Sequence, residues 1–589
     1  MKLLHYVEIE NFKRYGDIQR IELDHPAVLI GPNNCGKTTA LQAIALWSIG
    51  LRTWKMESEN SKAEKRKGKA LNRLSILSVP VPKTRHFWHN LKTGNKPLRI
   101  TVGVDVEGQP SPVTMIFRHH ASDELVHCEP GPDTLDNKGA FQAAASLDVS
   151  LLYPMSGISA DEAVILPKRI EFLMGRGSTA EVLRNICLQV LEKTPDDWQE
   201  IADLMRRLFH VQLGKPQGNE KGGVDLAYVQ DGTSGEMDLG LSGRGFQQML
   251  LIFSHLYLHK GSVLLIDEPD AHLEILRQQQ VYVLLRDIAH RNGCQVVMVT
   301  HSEVVLRAAL DTNLTLILGG QVENLAKKTS IANALKHFGA EHYVKARETG
   351  HVFYVEGSTD VDMLHAFADK LEHPVMAVLD EGARLNVYYL QGNFPPAETD
   401  NDNKELKRVE GGSGLTAKAH FLALKSILPD LRGLEIRDGD GKQRIEEEMN
   451  GLQRLVWKRY ELENYFITPE LLLAWADTQM PSEDLFTQTR QRLLDGLILE
   501  QVFDGNAEDF ANYHKLDAST RKTLWRAQTQ NKKLSLFAEE FYRRLANETG
   551  TRMLARKGDL HTLVALCDPA ELNGEVREKL DAMQRLLNA

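Results

Sequence analysis

The chain has 589 residues, a formal charge of −10, 42% hydrophobic residues and 25% charged residues. That length predicts several domains with sizeable cores, and the acidic balance excludes an overall basic coat for nucleic acid, leaving only local basic patches. Cys35, Cys128, Cys187, Cys294 and Cys567 form no CxxC pair. Together with the absence of a long apolar run and of an N-terminal signal core, this excludes a disulfide framework, a cysteine zinc site and a membrane span, and reads as a cytoplasmic chain with reduced thiols.

Residues 3–30 alternate in polarity, in Tyr6–Phe12 and again in Ile18–Leu23, which predicts antiparallel strands. The apolar run Ala27–Ile30 then leads into Gly31-Pro32-Asn33-Asn34-Cys35-Gly36-Lys37-Thr38-Thr39, followed by a helical pattern from Leu41 to Trp47. A strand, a GxxxxGK[ST] loop and a helix start make a phosphate-binding loop. Gly31, Asn34 and Gly36 shape a backbone whose N–H groups face the phosphates at the positive end of the new helix. Lys37 is the candidate for the β- and γ-phosphates and Thr38 for Mg²⁺, with Thr39 beside it. The basic run 61–69 reads as a solvated loop, with a nucleic-acid contact as the alternative. Alternation over 98–118 predicts a small meander, and 120–145 reads as loop-rich. Helical periodicity over 160–210 (Val182-Leu183, Ile186, Val190-Leu191, Ile201, Leu204-Met205, Leu208-Phe209) predicts an inserted arm, serving either packing or dimerisation.

Further on, Gly240-Leu241-Ser242-Gly243-Arg244-Gly245 opens a helical pattern, and small residues at a helix start again offer an anion site at Ser242 and Gly243. The apolar strand Ser262–Ile266 ends in Asp267-Glu268-Pro269-Asp270. Asp267 is the candidate Mg²⁺ ligand, and Glu268 the candidate to direct the attacking water. A second apolar strand, Gln295–Thr300, ends at His301, a candidate γ-phosphate sensor or a structural histidine.

This set resembles the ATP-binding-cassette type ATPases of the recombination and chromosome-maintenance class, over about residues 1–320. Leu241-Ser242-Gly243 is similar to their signature, Ile266–Pro269 to their Walker B, Asp270–Leu273 to their D-loop and His301 to their switch histidine. The resemblance implies a homodimer or higher homo-oligomer in which two heads sandwich ATP, Ser242 of one head touching the nucleotide held by Lys37 of the other. Arg244 departs from the glycine that many transporters have there, and no counterpart of the Q-loop glutamine is assigned.

After a polar connector at 321–350, strand His351–Val355 runs into Glu356-Gly357-Ser358-Thr359-Asp360 and a helix to Leu371. Strand Asn386–Leu390, a Pro-, Asn-, Asp- and Gly-rich stretch at 391–414 reading as a flexible loop, helix Thr416–Leu428 and strand Leu434–Arg437 follow, the last ending in Asp438-Gly439-Asp440-Gly441. The βαβαβ rhythm predicts a parallel sheet with carboxylates at its C-terminal rim, where α/β sheets place their sites. On an extended segment Asp438 and Asp440 project the same way, and such oxygen ligands suit Mg²⁺ or Mn²⁺; the bland reading is a pair of capped turns.

The second half resembles the TOPRIM fold over about 350–470, with the Glu356–Asp360 spacing similar to OLD-family nucleases. That resemblance implies metal ligands at Glu356, Asp360, Asp438 and Asp440. It also implies a strand–helix motif at Trp457–Tyr465 that brings Glu461 and Glu463 near a second metal (a solvated strand end being the equal alternative), and a phosphate-steadying role for Lys557, which is otherwise a surface lysine. Residues 471–589 read as helical, with Leu471-Leu472-Leu473 and Phe541-Tyr542 as packing anchors.

The expected fold is therefore α/β: an ABC-type P-loop ATPase head with a helical insertion (1–320), a connector (321–349), a TOPRIM-like parallel-sheet domain (350–470) and a helical C-terminal region (471–589). The expected activity is an ATP-hydrolysing, Mg²⁺-dependent nuclease, acting on DNA rather than RNA, in prokaryotic defence against phage or plasmids. An RNA-cleaving effector, or a clamp that binds nucleic acid without cutting it, are the alternatives.

Overall fold

The computed structural model describes residues 2–59, 68–94, 96–155, 157–159, 161–175, 178–233, 235–309, 313–324, 342–377, 385–390, 416–441, 445–479, 484–572 and 574–588. Most of the basic run 61–69, the connector from 325 to 341 and the stretch 391–414 lie outside these residues. The chain divides into two compact units, Met1–Val344 and Lys345–Ala589.

The first unit opens with strands β1 (Leu4–Glu10), β2 (Gln19–Glu22) and β3 (Ala27–Ile30), then helix α1 (Lys37–Glu59). Strands β4 (Lys69–Asn72), β5 (Leu98–Val106), β6 (Gln109–His119) and β7 (Leu125–Pro130) follow, with helices α2 (Pro132–Asp136) and α3 (Lys138–Ser146) and strand β8 (Val149–Leu152). The loop-rich reading of 120–145 is thus corrected. The stretch holds a strand paired to β6 and two short helices, α3 started by Asn137, whose side chain accepts the Ala140 N–H at 3.1 Å. Alternating strands make an antiparallel sheet in the order β2-β1-β5-β6-β7-β4.

Helices α4 (Pro167–Gly175), α5 (Leu183–Lys193) and α6 (Pro195–Phe209) occupy the helical insertion. Small strands β9 (Val211–Leu213), β10 (Gln217–Gly218), β11 (Val224–Asp225), β12 (Ala227–Gln230) and β13 (Glu236–Asp238) lead to α7 (Arg244–Leu258). Packing within the unit uses much of the insertion's apolar pattern: Leu183, Ile186, Val190, Ile201, Leu204, Met205 and Leu208 are buried, while Leu191 and Phe209 are half-buried and Leu166 and Phe172 are exposed.

The unit closes with β14 (Val263–Asp267), α8 (Ile275–Arg291), β15 (Gln295–Val299), α9 (Glu303–Ala309), β16 (Asn313–Leu318) and β17 (Gln321–Asn324). The core sheet runs β17-β16-β3-β15-β14-β8, parallel except for β17. Its central strands β3, β14 and β15 are buried at every position, the near-continuous apolar pattern of a sheet covered on both faces. Asp267 pairs with Val299, and Val299 with Leu29, so three strand ends stand abreast at one rim. Helix α1 buries Leu41, Ile44 and Trp47 in a core shared with β1, β5 and β6, and the Trp47 indole donates to the Val113 carbonyl at 2.9 Å.

One buried histidine in α7 makes a prediction. His255 is stacked on His259 with 4.4 Å between ring centroids, and His259 Nδ1 lies 2.9 Å from Asp148 Oδ2. Burial first, then the neighbouring His259, pushes the His255 imidazole down to about 3. Unfolded, the same ring takes a proton below about pH 6.5, so the unfolded state binds the extra proton between that pH and about 3. Stability is expected to fall as pH drops through that window, by up to about 1.4 kcal/mol per pH unit. In urea unfolding at pH 7 and pH 5, His255→Gln is expected to flatten this dependence.

The second unit has strands β18 (His351–Val355), β19 (Val387–Tyr389), β20 (Arg432–Arg437), β21 (Glu447–Met449) and β22 (Leu452–Val456) in the order β19-β18-β20-β22-β21, parallel except for β21. Helix Ser358–Lys370 follows β18, and helix Ala417–Lys425 precedes β20, capped by the Thr416 hydroxyl on the Ala419 N–H at 3.3 Å. Strand β22 stops at Val456, and Leu462–Tyr465 is a 3-10 turn, so Trp457–Tyr465 is not the strand–helix motif expected. The helices from Pro469 onward share one core with the sheet: Phe353, Leu434 and Trp457 pack in a cluster with Leu472, Phe541, Tyr542, Leu563 and Val576. Of the expected anchors, Leu473 is only partly buried.

Candidate functional site

At the rim of the first unit, the loop after β3 holds left-handed or strained backbone at Gly31 (φ +149°), Asn34 (φ +61°) and Gly36 (φ +117°). A Cβ on Gly31 would lie 2.1 Å from the Ile317 carbonyl oxygen and 2.8 Å from Cys35 Sγ, so only glycine fits against β16. Lys37 is 4% exposed and its ammonium donates to the carbonyls of Gly31 at 2.9 Å and Pro32 at 2.8 Å, across the mouth of the curl. Burial holds this ammonium below its ordinary pKa, opposed by Cys35, Glu268 and Asp267. The Thr38 hydroxyl bridges to Asp267, 3.1 Å from Oδ1 and 3.0 Å from Oδ2, and Thr39 lies in the first turn of α1. Burial is the main reason the Asp267 carboxyl is pushed up to about 6. Glu268 adopts a left-handed φ of +51°, donates its N–H to Val299 at 2.9 Å, and presents Oε1 3.3 Å from His301 Nε2. Burial, then Lys37, lowers the His301 pKa, with Glu268 opposing. Lys37, Thr38, Asp267, Glu268 and His301 thus converge from three strand ends.

Ser242 and Gly243 stand elsewhere on the unit, at the start of α7. The Ser242 hydroxyl donates to the Leu239 carbonyl at 2.6 Å, and Gly243 is the N-cap. A Cβ on Gly245 would come 2.6 Å from the His272 carbonyl oxygen, so this helix start abuts the Asp270–Leu273 turn. Two braces of the phosphate loop escaped the sequence reading. The buried Tyr15 hydroxyl donates to the Gly36 carbonyl at 3.0 Å, and the Gly320 N–H donates to the Cys35 carbonyl at 2.9 Å. Neither bears a spacing relation to the loop that a sequence would reveal.

In the second unit Glu356 directly follows β18, and Asp360 lies in the first turn of the next helix with Oδ2 accepting the Gly357 N–H at 2.9 Å. Asp438 follows β20. Its carboxyl is pushed up to about 9, first by burial and then by the charges of Asp360, Glu356, Glu463 and Glu461. Burial also pushes Glu463 up to about 7, with Glu461 adding to it, and raises Asp360; the exposed Lys557 opposes both shifts. The fold therefore gathers Glu356, Asp360, Asp438, Glu463 and Lys557, which the sequence scatters over two hundred positions.

Two expectations are corrected. Asp440 is left-handed (φ +48°) and donates its N–H to the Tyr460 carbonyl at 3.0 Å, so the 438–440 segment is not extended and the i, i+2 argument fails. Gly439 permits this turn: a Cβ there would lie 2.3 Å from the Arg459 carbonyl oxygen and 2.6 Å from that of Trp457, so only glycine fits against residues 457–459. Glu461 is 3% exposed, which overturns the solvated strand-end alternative; it accepts the Ser535 N–H at 2.6 Å and its hydroxyl at 3.0 Å, and its charge reaches Asp438 and Glu463.

Among the described residues, no group of three or more His, Cys, Asp or Glu side chains stands at ligand spacing for a metal ion. The donor chemistry nevertheless fits a hard divalent cation: the acids are oxygen ligands only, and buried like charges are tolerated only with protons or cations among them.

Two family models match the chain. One, described as "AAA ATPase domain", covers residues 1–72, and the other, "AAA domain, putative AbiEii toxin, Type IV TA system", covers 187–307. Between them they take in the Gly31–Thr39 loop, the Ser242 helix start, Asp267, Glu268 and His301. Solved structures with some likeness include an SMC head bound to the C-winged helix domain of ScpA (TM-score 0.36, 14% identity, 56% of this chain and 99% of that one). Others are an SMC head with an extended coiled coil, bound to the C-terminal domain of ScpA from Pyrococcus furiosus (TM-score 0.35, 14% identity, 57% and 100%), and the SMC head from Thermotoga maritima (TM-score 0.30, 13% identity, 55% and 99%). A comparison with curated proteins gives no match. No described helix is long and apolar enough to cross a membrane.

Proposed function

We propose that the first unit, matched by AAA-type ATPase models over residues 1–72 and 187–307, binds and hydrolyses ATP. We propose that the whole chain is an ATP-hydrolysing, Mg²⁺-dependent nuclease acting on DNA, resembling the OLD family, with a TOPRIM-like second unit and a role in prokaryotic defence. The observation that carries this reading is the placement of Glu356 and Asp438 directly after the paired parallel strands β18 and β20, with Asp360 in the first turn of the next helix, where the charges of Asp360, Glu356 and Glu463 reach Asp438. In the first unit the loop N–H groups and Lys37 would hold the phosphates, Thr38 and Asp267 the Mg²⁺, and Glu268, oriented by His301, the attacking water. In the second, Glu356, Asp360, Asp438, Asp440 and Glu463 would hold Mg²⁺ or Mn²⁺, and Lys557 would steady the cleaved phosphate. Divalent cations supply, when bound, charge stabilisation at the attacking and leaving oxygens. Ser242 would act on the nucleotide of a second copy, in a cytoplasmic homo-oligomer.

The test incubates the chain with plasmid DNA and with total RNA, in Mg²⁺ and in Mn²⁺, with and without ATP. Cleavage of plasmid is expected. Cleavage of RNA alone replaces the substrate, and intact substrates under every condition end the nuclease reading. Glu268→Gln is expected to slow ATP turnover about 10²- to 10⁴-fold while nucleotide binding persists, measured by single-turnover hydrolysis beside a binding titration.

A further inference from the structure

A cleft of about 410 Å³ opens beside the Asp438–Gly441 turn, lined by Gly439, Gly441, Lys458, Arg459, Tyr460 and Asn531 among others. Its volume lies in the range of sites that take small organic ligands, of about 300–1,000 Å³. Tyr460 forms one wall. Its carbonyl accepts the Asp440 N–H at 3.0 Å, and a Cβ on Gly441 (φ +65°) would come 3.5 Å from its ring. The ring is half-buried, and the exposed Lys533 places its ammonium 5.9 Å from the ring centroid.

The cleft's charge is positive, in a chain whose total is −10. Lys458 is exposed; its backbone N–H donates to Glu575 Oε1 at 2.9 Å, and its charge reaches Glu446. Arg459 stacks its guanidinium 4.6 Å from the Tyr465 ring centroid, and the charge of Arg526 reaches it. The one acid in the lining, Glu446, is engaged by the Lys579 ammonium and by the Val456 N–H at 3.0 Å. A cationic, aromatic-walled cleft therefore shares a turn with the carboxylate cluster.

We infer that this cleft seats a single-stranded nucleic-acid segment, one base stacked on Tyr460 and the flanking phosphates on Lys458, Lys533 and Arg459. This rests on the nuclease reading for its purpose, though not for its chemistry. Lysines and arginines alone would fit any polyanion; the aromatic face adds selectivity for unpaired bases, since a duplex keeps its base faces covered. Asp440, tied by its backbone to Tyr460, then stands beside the strand's phosphodiester while the cations balance the repulsion between the acid cluster and that backbone.

The experiment is fluorescence anisotropy on the full chain in EDTA, which separates binding from cleavage, using labelled 20-mer deoxy and ribo oligomers and a duplex of the same length. Tyr460→Ala is expected to weaken binding of at least one single strand about five-fold or more, and Tyr460→Phe to retain it. Lys533→Ala is expected to lower the slope of log K against log salt by about 0.7. Unchanged single-strand affinity in Tyr460→Ala, with wild-type circular dichroism, overturns the inference, as does duplex binding equal to single-strand binding. If Tyr460→Ala does not fold, the surface variants Lys458→Ala and Lys533→Ala decide it: an unchanged salt slope in both overturns it. Tyr460-dependent binding by a protein that cuts nothing in Mg²⁺ or Mn²⁺ upholds the cleft and ends the nuclease reading, so the two failures are distinguishable.

Discussion

Asp438→Asn is expected to abolish the proposed phosphodiester cleavage and, in chelator, to make the second unit more stable than the wild type at neutral and alkaline pH. Both follow from the same crowding. Folded, the Asp438 carboxyl holds its proton up to about pH 9, because burial and the charges of Asp360, Glu356, Glu463 and Glu461 penalise its ionised form. An unfolded aspartate loses that proton near pH 4. Between those values the folded state binds the extra proton, so wild-type stability falls as pH rises, by up to about 1.4 kcal/mol per unit. Asparagine carries no such proton, and urea unfolding at pH 5 and pH 8 in EDTA is expected to show a flatter dependence. Mg²⁺ or Mn²⁺ is expected to raise the wild-type melting temperature by several degrees, a ligand present at about a hundred times its dissociation constant contributing about 2.7 kcal/mol, and to leave Asp438→Asn unmoved. Cleavage at the wild-type rate by the asparagine variant would remove Asp438 from the chemistry.

Lys37→Ala is expected to lower ATP turnover at least about 100-fold and to abolish measurable ATP binding. Lys37 is 4% exposed and its ammonium is held between the Gly31 and Pro32 carbonyls, so it is delivered to the loop's mouth with little freedom left to lose. Lys37→Arg is not expected to rescue the loss. A planar guanidinium cannot repeat that bridge inside a curl closed by Ile317 on one side and Tyr15 on the other. Turnover within three-fold of wild type in either variant would mean that the nucleotide is held somewhere else.

The first site was legible because its parts are local. Gly31–Thr39 and Asp267-Glu268 each follow an apolar strand, and buried parallel strands write themselves as runs such as Val263–Ile266 and Val296–Val299. The second site was legible only in pieces. Glu356 and Asp438 were marked by strand ends, but Glu463 and Lys557 reach the cluster through a 3-10 turn and a segment two hundred residues away, which no period predicts. One misreading lies where tertiary contacts decide the backbone, at left-handed Asp440 beside Gly439, which has no room for a Cβ; α3, by contrast, carried local signals in the Asn137 cap and in Ala140 and Ala144 at i, i+4.

By itself the sequence determined the phosphate loop and the strand character of β1, β2, β5, β6, β18 and β20, which depend on neighbours within a few residues, while the alternation of strands and helices in the second unit implied a parallel sheet. Only the tertiary structure decided which acids share a field, that the faces of α5 and α6 are spent on packing, and that Tyr460 stands beside Asp440. Those depend on how distant segments pack, and the repulsion between acids, like the lack of room for a Cβ at Gly439, exists only once the chain has brought the segments together.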